Sequence, residues 1–237
     1  MSFYGVTFSG VDESVHPAQL LEVRSHYFPV EWGINFTREH QKTRPPFPGI
    51  DWIKGFHPAA NLSAHLQGKF ARDFLEGEDG DFVRQYGDVL PLFRRIQVRC
   101  DVGADQIDWK RLTQIANNYP DKKLTVQISA ENSEMIDSVA QLGVPISILF
   151  DRGSSDEAHW PKAQKGLKGC GYAGNLRPDN LSKQLSLLMA AARHAEYWWI
   201  DLGASVRTIE NGKDLFSCDL CKKVIREVEG YFLDYVI

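Results

Sequence analysis

The sequence predicts an α/β protein, a single domain over residues 1–237 folded as a parallel, eight-stranded (β/α)8 TIM barrel. Three observations carry this. Short segments rich in β-branched and aromatic residues alternate with longer segments of helical spacing. Eight such units fall within 237 residues, a number and length that let a parallel sheet close on itself. No G-x-G-x-x-G follows the first strand, so the usual mark of an open dinucleotide-binding sheet is missing.

The strands are expected at Tyr4 to Gly10, Val30 to Phe36, Leu62 to Gly68, Arg95 to Asp101, Leu124 to Ala130, Pro145 to Asp151, Gly169 to Asn175 and Tyr197 to Gly203. Helical spacing occupies His16 to Tyr27, Asp51 to Ala59, Asp73 to Phe93, Asp108 to Tyr119, Ser133 to Leu142, Asn180 to His194 and Asp219 to Tyr231. Asp108, Asn132 and the run Pro178-Asp179-Asn180 stand where N-caps belong, because their side chains accept from the unpaired N–H groups of a first turn. The least regular spans are Thr37 to Ile50 and Gly77 to Gly87. The first follows the second strand and so belongs to the face of a barrel where active-site loops lie.

Composition excludes several classes. Hydrophobic residues at 43% and charged residues at 24% suit a globular chain with a substantial core. A net charge of −4 without a basic tract gives no electrostatic footprint for nucleic acid. No signal-peptide pattern and no apolar run near the ~18 residues of a membrane span are present, so the expected location is cytoplasmic, without a membrane partner. Four cysteines are too few for a disulfide scaffold. The pair Cys218 and Cys221 has C-x-x-C spacing but lacks both a second ligand pair and a strand-to-helix setting.

Polar residues on alternate strand positions carry the functional signal, since a barrel interior is ordinarily filled by Val, Ile and Leu. Glu31, Gly33 and Asn35 share a face, as do His65 and Gln67, Gln97, Arg99 and Asp101, and Gln127, Ser129 and Glu131; Asp151 ends the sixth strand and Asp201 lies near the end of the eighth. Such a set, converging at the C-terminal ends of the strands, forms a pocket. The stretch "GYAGNLRPDNL" adds a glycine turn between strand and helix. That turn saves space and also gathers backbone N–H groups, which suits a phosphate.

Four segments together resemble the phosphoribosylanthranilate isomerases. "YAGNLRPDNL" is similar to their seventh-strand phosphate loop, "WIDLGASVR" to the eighth-strand segment, "WGINFTREHQKTRP" to the segment after the second strand, and "ILFD" to the close of the sixth. The resemblance implies a cofactor-free Amadori rearrangement of a phosphoribosyl amine. A general acid opens the ribose ring to an iminium and a general base removes the C2 proton. Asp151 takes the acid's place. The family's Cys before Gly at the end of the first strand is Ser9 before Gly10 here, with Thr7 at its lysine position. A serine hydroxyl is too weakly acidic to serve as a base unaided, so Glu31 or His65 takes the role, or the site has another chemistry. Gly174, Asn175, Gly203, Ala204 and Ser205 are the implied phosphate-binding positions. Arg207, Arg38 and Arg44 are candidate charged contacts, and Asn35, Arg99 and Asp201 are further lining residues.

The expected ligand is a small phosphorylated metabolite, bound with neither metal nor organic cofactor; oligomeric state is left open. Two alternatives stand beside this reading. Glu31, His65, Asp101, Asp151 and Asp201 are ligand types of metal-dependent barrel isomerases and lyases, although no H-x-H or H-E-x-x-H spacing occurs. A binding protein that kept the anion site and lost the base is the other.

Overall fold

Eight short strands, each too apolar on its outward side to face water, lie side by side and close into a ring in the order β1 to β8. They are β1 Ser2–Ser9, β2 Val30–Phe36, β3 Leu62–Leu66, β4 Phe93–Arg99, β5 Lys123–Ser129, β6 Ile146–Asp151, β7 Gly169–Ala173 and β8 Tyr197–Leu202. The computed structural model describes residues 1–37, 48–76, 80–100, 107–129, 137, 146–154 and 159–236. All neighbouring pairs are parallel, and β1 closes the ring on β8 with Thr7 opposite Asp201. The expected (β/α)8 barrel is therefore present, with strand ends shifted by at most two residues.

Alternation along each strand sorts two environments. Phe8, Ile34, Ala64, Val98, Val126, Ile148, Tyr172 and Ile200 belong to one large apolar cluster beneath the surrounding helices. The interior side is polar: Thr7, Glu31, Ser63, His65, Arg95, Gln97, Thr125, Ser147 and Asp201 are all buried. Arg95 stacks its guanidinium 4.2 Å from the centroid of the fully buried Trp199 ring and donates from Nε to Glu31 at 3.1 Å. Thr7 donates to the other Glu31 oxygen at 2.9 Å. Trp199 finds its space because β7 carries Gly171 beside it, where a Cβ would lie 2.3 Å from the indole. Gly169 likewise makes room for the Tyr197 ring, so these two glycines of β7 serve barrel packing.

The helices are shorter than expected on the N-terminal side. In place of His16 to Tyr27, α1 spans Pro17–Leu20, opened by a capping box between His16 and Gln19. It ends with a C-cap at Leu21, and farther on the Ser25 hydroxyl accepts from the Tyr27 N–H in a local turn. Likewise α2, Ile50–Lys54, ends at Gly55. The expected helix from Asp73 to Phe93 is instead α3 Gly68–Leu75, α4 Gly80–Tyr86 and a 3-10 turn at Leu90–Leu92, since Pro91 cannot continue an α-helix. Farther on, α5 spans Trp109–Asn118 under the expected Asp108 cap, and α6 spans Leu181–Ala191. The expected helix over Ser133 to Leu142 lies outside the described residues apart from position 137.

After β8 the chain forms a hairpin absent from the sequence reading, β9 Arg207–Glu210 and β10 Lys213–Phe216, before α7 Cys218–Val236. Asn211 and Gly212, with φ of 52° and 75°, make its two-residue turn. Both C-x-x-C cysteines are free thiols in the first turn of α7, Cys221 buried and Cys218 half-buried, and burial pushes both away from the thiolate form. No helix among the described residues is long and apolar enough to cross a membrane.

Candidate functional site

At the C-terminal rim of the barrel a cavity of about 790 Å³ opens, ringed by the loops that follow the strands. The barrel topology dictates its place: every strand delivers its last inward side chain there. Asp151 and Asp201 both line the cavity. Asp151 on β6 pairs in register with Ala173 on β7, which pairs with Asp201 on β8, so the carboxylates stand two strands apart, about 10 Å between Cα atoms.

The two carboxylates have different surroundings. Both oxygens of Asp151 accept N–H bonds, from Gln127 Nε2 at 2.8 Å and from the Gly153 backbone at 2.8 Å. Asp201 is buried, and its Oδ1 accepts from the Ser9 hydroxyl. Burial raises the Asp201 pKa from 3.8 to about 7, with the negative charges of Asp151 and Glu31 adding to the rise while hydrogen bonds from Ser9 and Gln97 oppose it.

His65 lines the cavity but is 4% exposed, its Nδ1 3.3 Å from Gln97 Nε2. Burial, helped by the positive Arg95, lowers its pKa to about 3, so the imidazole stays neutral and is a weak base near pH 7. Glu31, the other expected base, sits below the cavity floor rather than at the mouth. It is held by Arg95 and Thr7 and is not among the lining residues. The physical reason is depth: Glu31 is opposite Thr7, a full pleat beneath the level of Ser9 and Gly33.

The anion-binding positions line the same cavity. Gly174 takes φ 100°, and a Cβ there would lie 2.7 Å from the Gly153 nitrogen, so the close turn requires glycine. Asn175 follows at φ 49°, and Asn180 ties the turn down, donating to the Asn175 carbonyl at 2.7 Å and accepting from Arg177 N–H at 2.9 Å. Gly203 caps a 3-10 turn, Ala204–Val206, whose first N–H groups, on Ala204 and Ser205, have no acceptor within the turn. Arg207 is engaged by carboxylates: Nη2 reaches Asp12 at 2.7 Å, Nε reaches Asp214 at 2.7 Å, and Nη1 donates to the Gly10 carbonyl at 2.6 Å. It clasps the loop after β1 to the hairpin.

Arg99 and Asn35 also line the cavity, the latter accepting from Gln67 at 3.3 Å. Arg38 and Arg44, and with them Asp101, Glu131 and Phe47, lie outside the described residues. Trp32, Trp52 and Trp160 do not line the cavity; they pack on Phe8 and Phe216, on Phe56, and on Tyr172 respectively. Among the described residues no three His, Cys, Asp or Glu side chains gather as a metal site. Sequence reasoning missed Asp12, Arg177 and Asp214. Asp214 depends on the hairpin, whose one signal was "NG" between short β-prone runs.

Fold and rim together define a (β/α)8 barrel with a polar cavity at its C-terminal face, lined by Asp151 and Asp201 and by Asp12 and Asp214, which hold Arg207. Solved structures share the fold. A phosphoribosylanthranilate isomerase from Thermotoga maritima superposes with a TM-score of 0.58 at 12% identity, over 97% of this chain and all of the other. TrpF from Jonesia denitrificans gives 0.58 at 14%, over 98% of each chain. A truncated 3-deoxy-D-arabino-heptulosonate 7-phosphate synthase from Thermotoga maritima gives 0.53 at 15%, over 99% of this chain and 88% of the other. At these identities the likeness is one of fold alone, the (β/α)8 barrel. No protein-family model and no curated protein sequence matches the chain.

Proposed function

We propose that the cavity binds a phosphorylated sugar or phosphoribosyl compound and isomerises it by acid–base chemistry without a cofactor. The observation that supports this most is a juxtaposition: the Gly174 turn and the Gly203–Ser205 turn border the same cavity as Asp151 and Asp201. Glycine turns and the start of a short helix attract a phosphate through their N–H groups. A phosphate anchored there puts the attached sugar carbons within reach of the two aspartates. Asp151, at the position that resembles the family's acid, would protonate the ring oxygen, and the barrel loops would keep the opened sugar from bulk water.

The proposal is tested by calorimetric titration with ribose 5-phosphate, with ribose and with inorganic phosphate. Ribose 5-phosphate is expected to bind, ribose to bind at least tenfold more weakly, and Gly174→Val to lose the phosphate-dependent part. Equal affinity for ribose and ribose 5-phosphate, or no binding of either, counts against it.

A further inference from the structure

We infer that Asp201 is the base that takes the proton from the carbon next to the substrate's iminium or carbonyl carbon, and that Ser9 is its positioning residue. This rests on the sugar-phosphate reading of the cavity and supplies the group that reading lacks. Three observations lead to it. Ser9 occupies the end of β1, and its hydroxyl donates to Asp201 Oδ1, so the serine directs a carboxylate rather than acting as a base itself. Asp201 lines the cavity two strands from Asp151, beyond Ala173, so an acid and a base both face one bound chain of carbons. Of the other two candidates, Glu31 is bonded to Arg95 and Thr7 below the floor, and His65, which does line the cavity, is a buried ring held at Nδ1 by Gln97 and too weak a base near pH 7.

The charged and titratable groups facing Asp201 are Asp151 across β7 and Glu31 below, the latter paired with Arg95; burial is the largest cause of the raised Asp201 pKa and does not depend on the charge of Asp151, so Asp201 suits a base working near neutrality while Asp151 holds the proton it gives to the substrate. The step balances. Asp151 gives a proton to the ring oxygen as the nitrogen lone pair closes the C1=N bond and the C1–O bond breaks. The C2–H bond then breaks, its proton passes to Asp201, and its electron pair forms C1=C2 while the C1=N pair returns to nitrogen. The resulting enol becomes the ketone by losing its hydroxyl proton and gaining one at C1, so no oxidant or reductant is required. Ser9 keeps Oδ1 bonded, stabilises the ionised form, and leaves the carboxylate oriented for the C2 proton.

Two measurements test this. In protein labelled with 13Cγ-aspartate, the Asp201 resonance, identified by its loss in Asp201→Asn, is expected to titrate near pH 7 and to move upward by about one unit in Ser9→Ala, where a hydrogen bond to the charged form is gone. Titration near 4, or no movement in Ser9→Ala, overturns the pairing. In D2O, proton NMR then follows replacement of the C2 hydrogen of ribose 5-phosphate by deuterium, alongside calorimetric binding of the same compound. Asp201→Asn should keep binding and lose about a hundredfold or more of the exchange rate. Wild-type binding without exchange, or exchange unchanged in Asp201→Asn, overturns the base assignment and leaves the sugar-phosphate reading standing. Absence of binding by the wild type rejects that reading and the base assignment with it.

Discussion

Replacing Asp201 by Asn should make the protein more stable at alkaline pH and leave the difference small in acid. The side chain is buried, and its pKa is about 7 when folded against 3.8 ordinarily. A carboxyl raised in this way favours the fold below about pH 3.8, where both states hold the proton, and that favour is lost progressively as pH climbs through 7. In between, the folded chain keeps a proton the unfolded chain has released, so stability falls by about 1.4 kcal/mol per pH unit. Over the whole window the loss is about 4 kcal/mol, and from pH 5 to pH 8 about 3 kcal/mol. Asn fills the same volume and has no charge to bury. Urea unfolding followed by circular dichroism at pH 5, 6, 7 and 8 reads the difference between variant and wild type. His65 acts in the opposite sense, since a ring lowered to about 3 favours the fold above pH 6.5 and loses that favour as pH falls. It is common to both proteins and cancels in the subtraction. A difference that grows by about 3 kcal/mol toward pH 8 is expected; parallel stability curves would refute the claim that Asp201 is held protonated by burial.

Two further substitutions probe the polar interior. Glu31→Gln leaves the Arg95 guanidinium buried without its counter-charge and should cost about 3–5 kcal/mol in urea unfolding while ribose 5-phosphate affinity, measured by calorimetry on the folded variant, changes less than about threefold; loss of affinity at native stability would bring Glu31 back into the site. Gly171→Ala pushes a methyl into the Trp199 indole and is expected to cost about 1–3 kcal/mol, with a shift in tryptophan fluorescence; an unchanged spectrum and midpoint would mean that β7 is not packed this tightly.

How far the sequence reached follows from the range of the forces involved. Strand and helix periods are local, and the alternation around Val30–Phe36 or Ile146–Asp151 was readable within a residue. The convergence of Asp151, Asp201, Gly174 and Gly203 was readable too, because a closed parallel barrel sends all strand ends to one rim. Depth was not. Glu31 and Asn35 share a face and differ by two pleats, and only the stagger between strands decides that one meets Arg95 and the other the cavity. Nor was the partner of a charge: Arg207 looked available for a phosphate until Asp12 and Asp214, 195 and 7 residues away in the chain, closed on it.

An anion and a sugar are expected to fit between two backbone turns and two aspartates. A crystal structure with ribose 5-phosphate tests it most directly. Phosphate oxygens within hydrogen-bond distance of the Gly174 and Ala204–Ser205 N–H groups, with the sugar carbons lying between Asp151 and Asp201, are the expected result. Ribose 5-phosphate seated elsewhere, or with its phosphate turned toward the aspartates, would contradict the account.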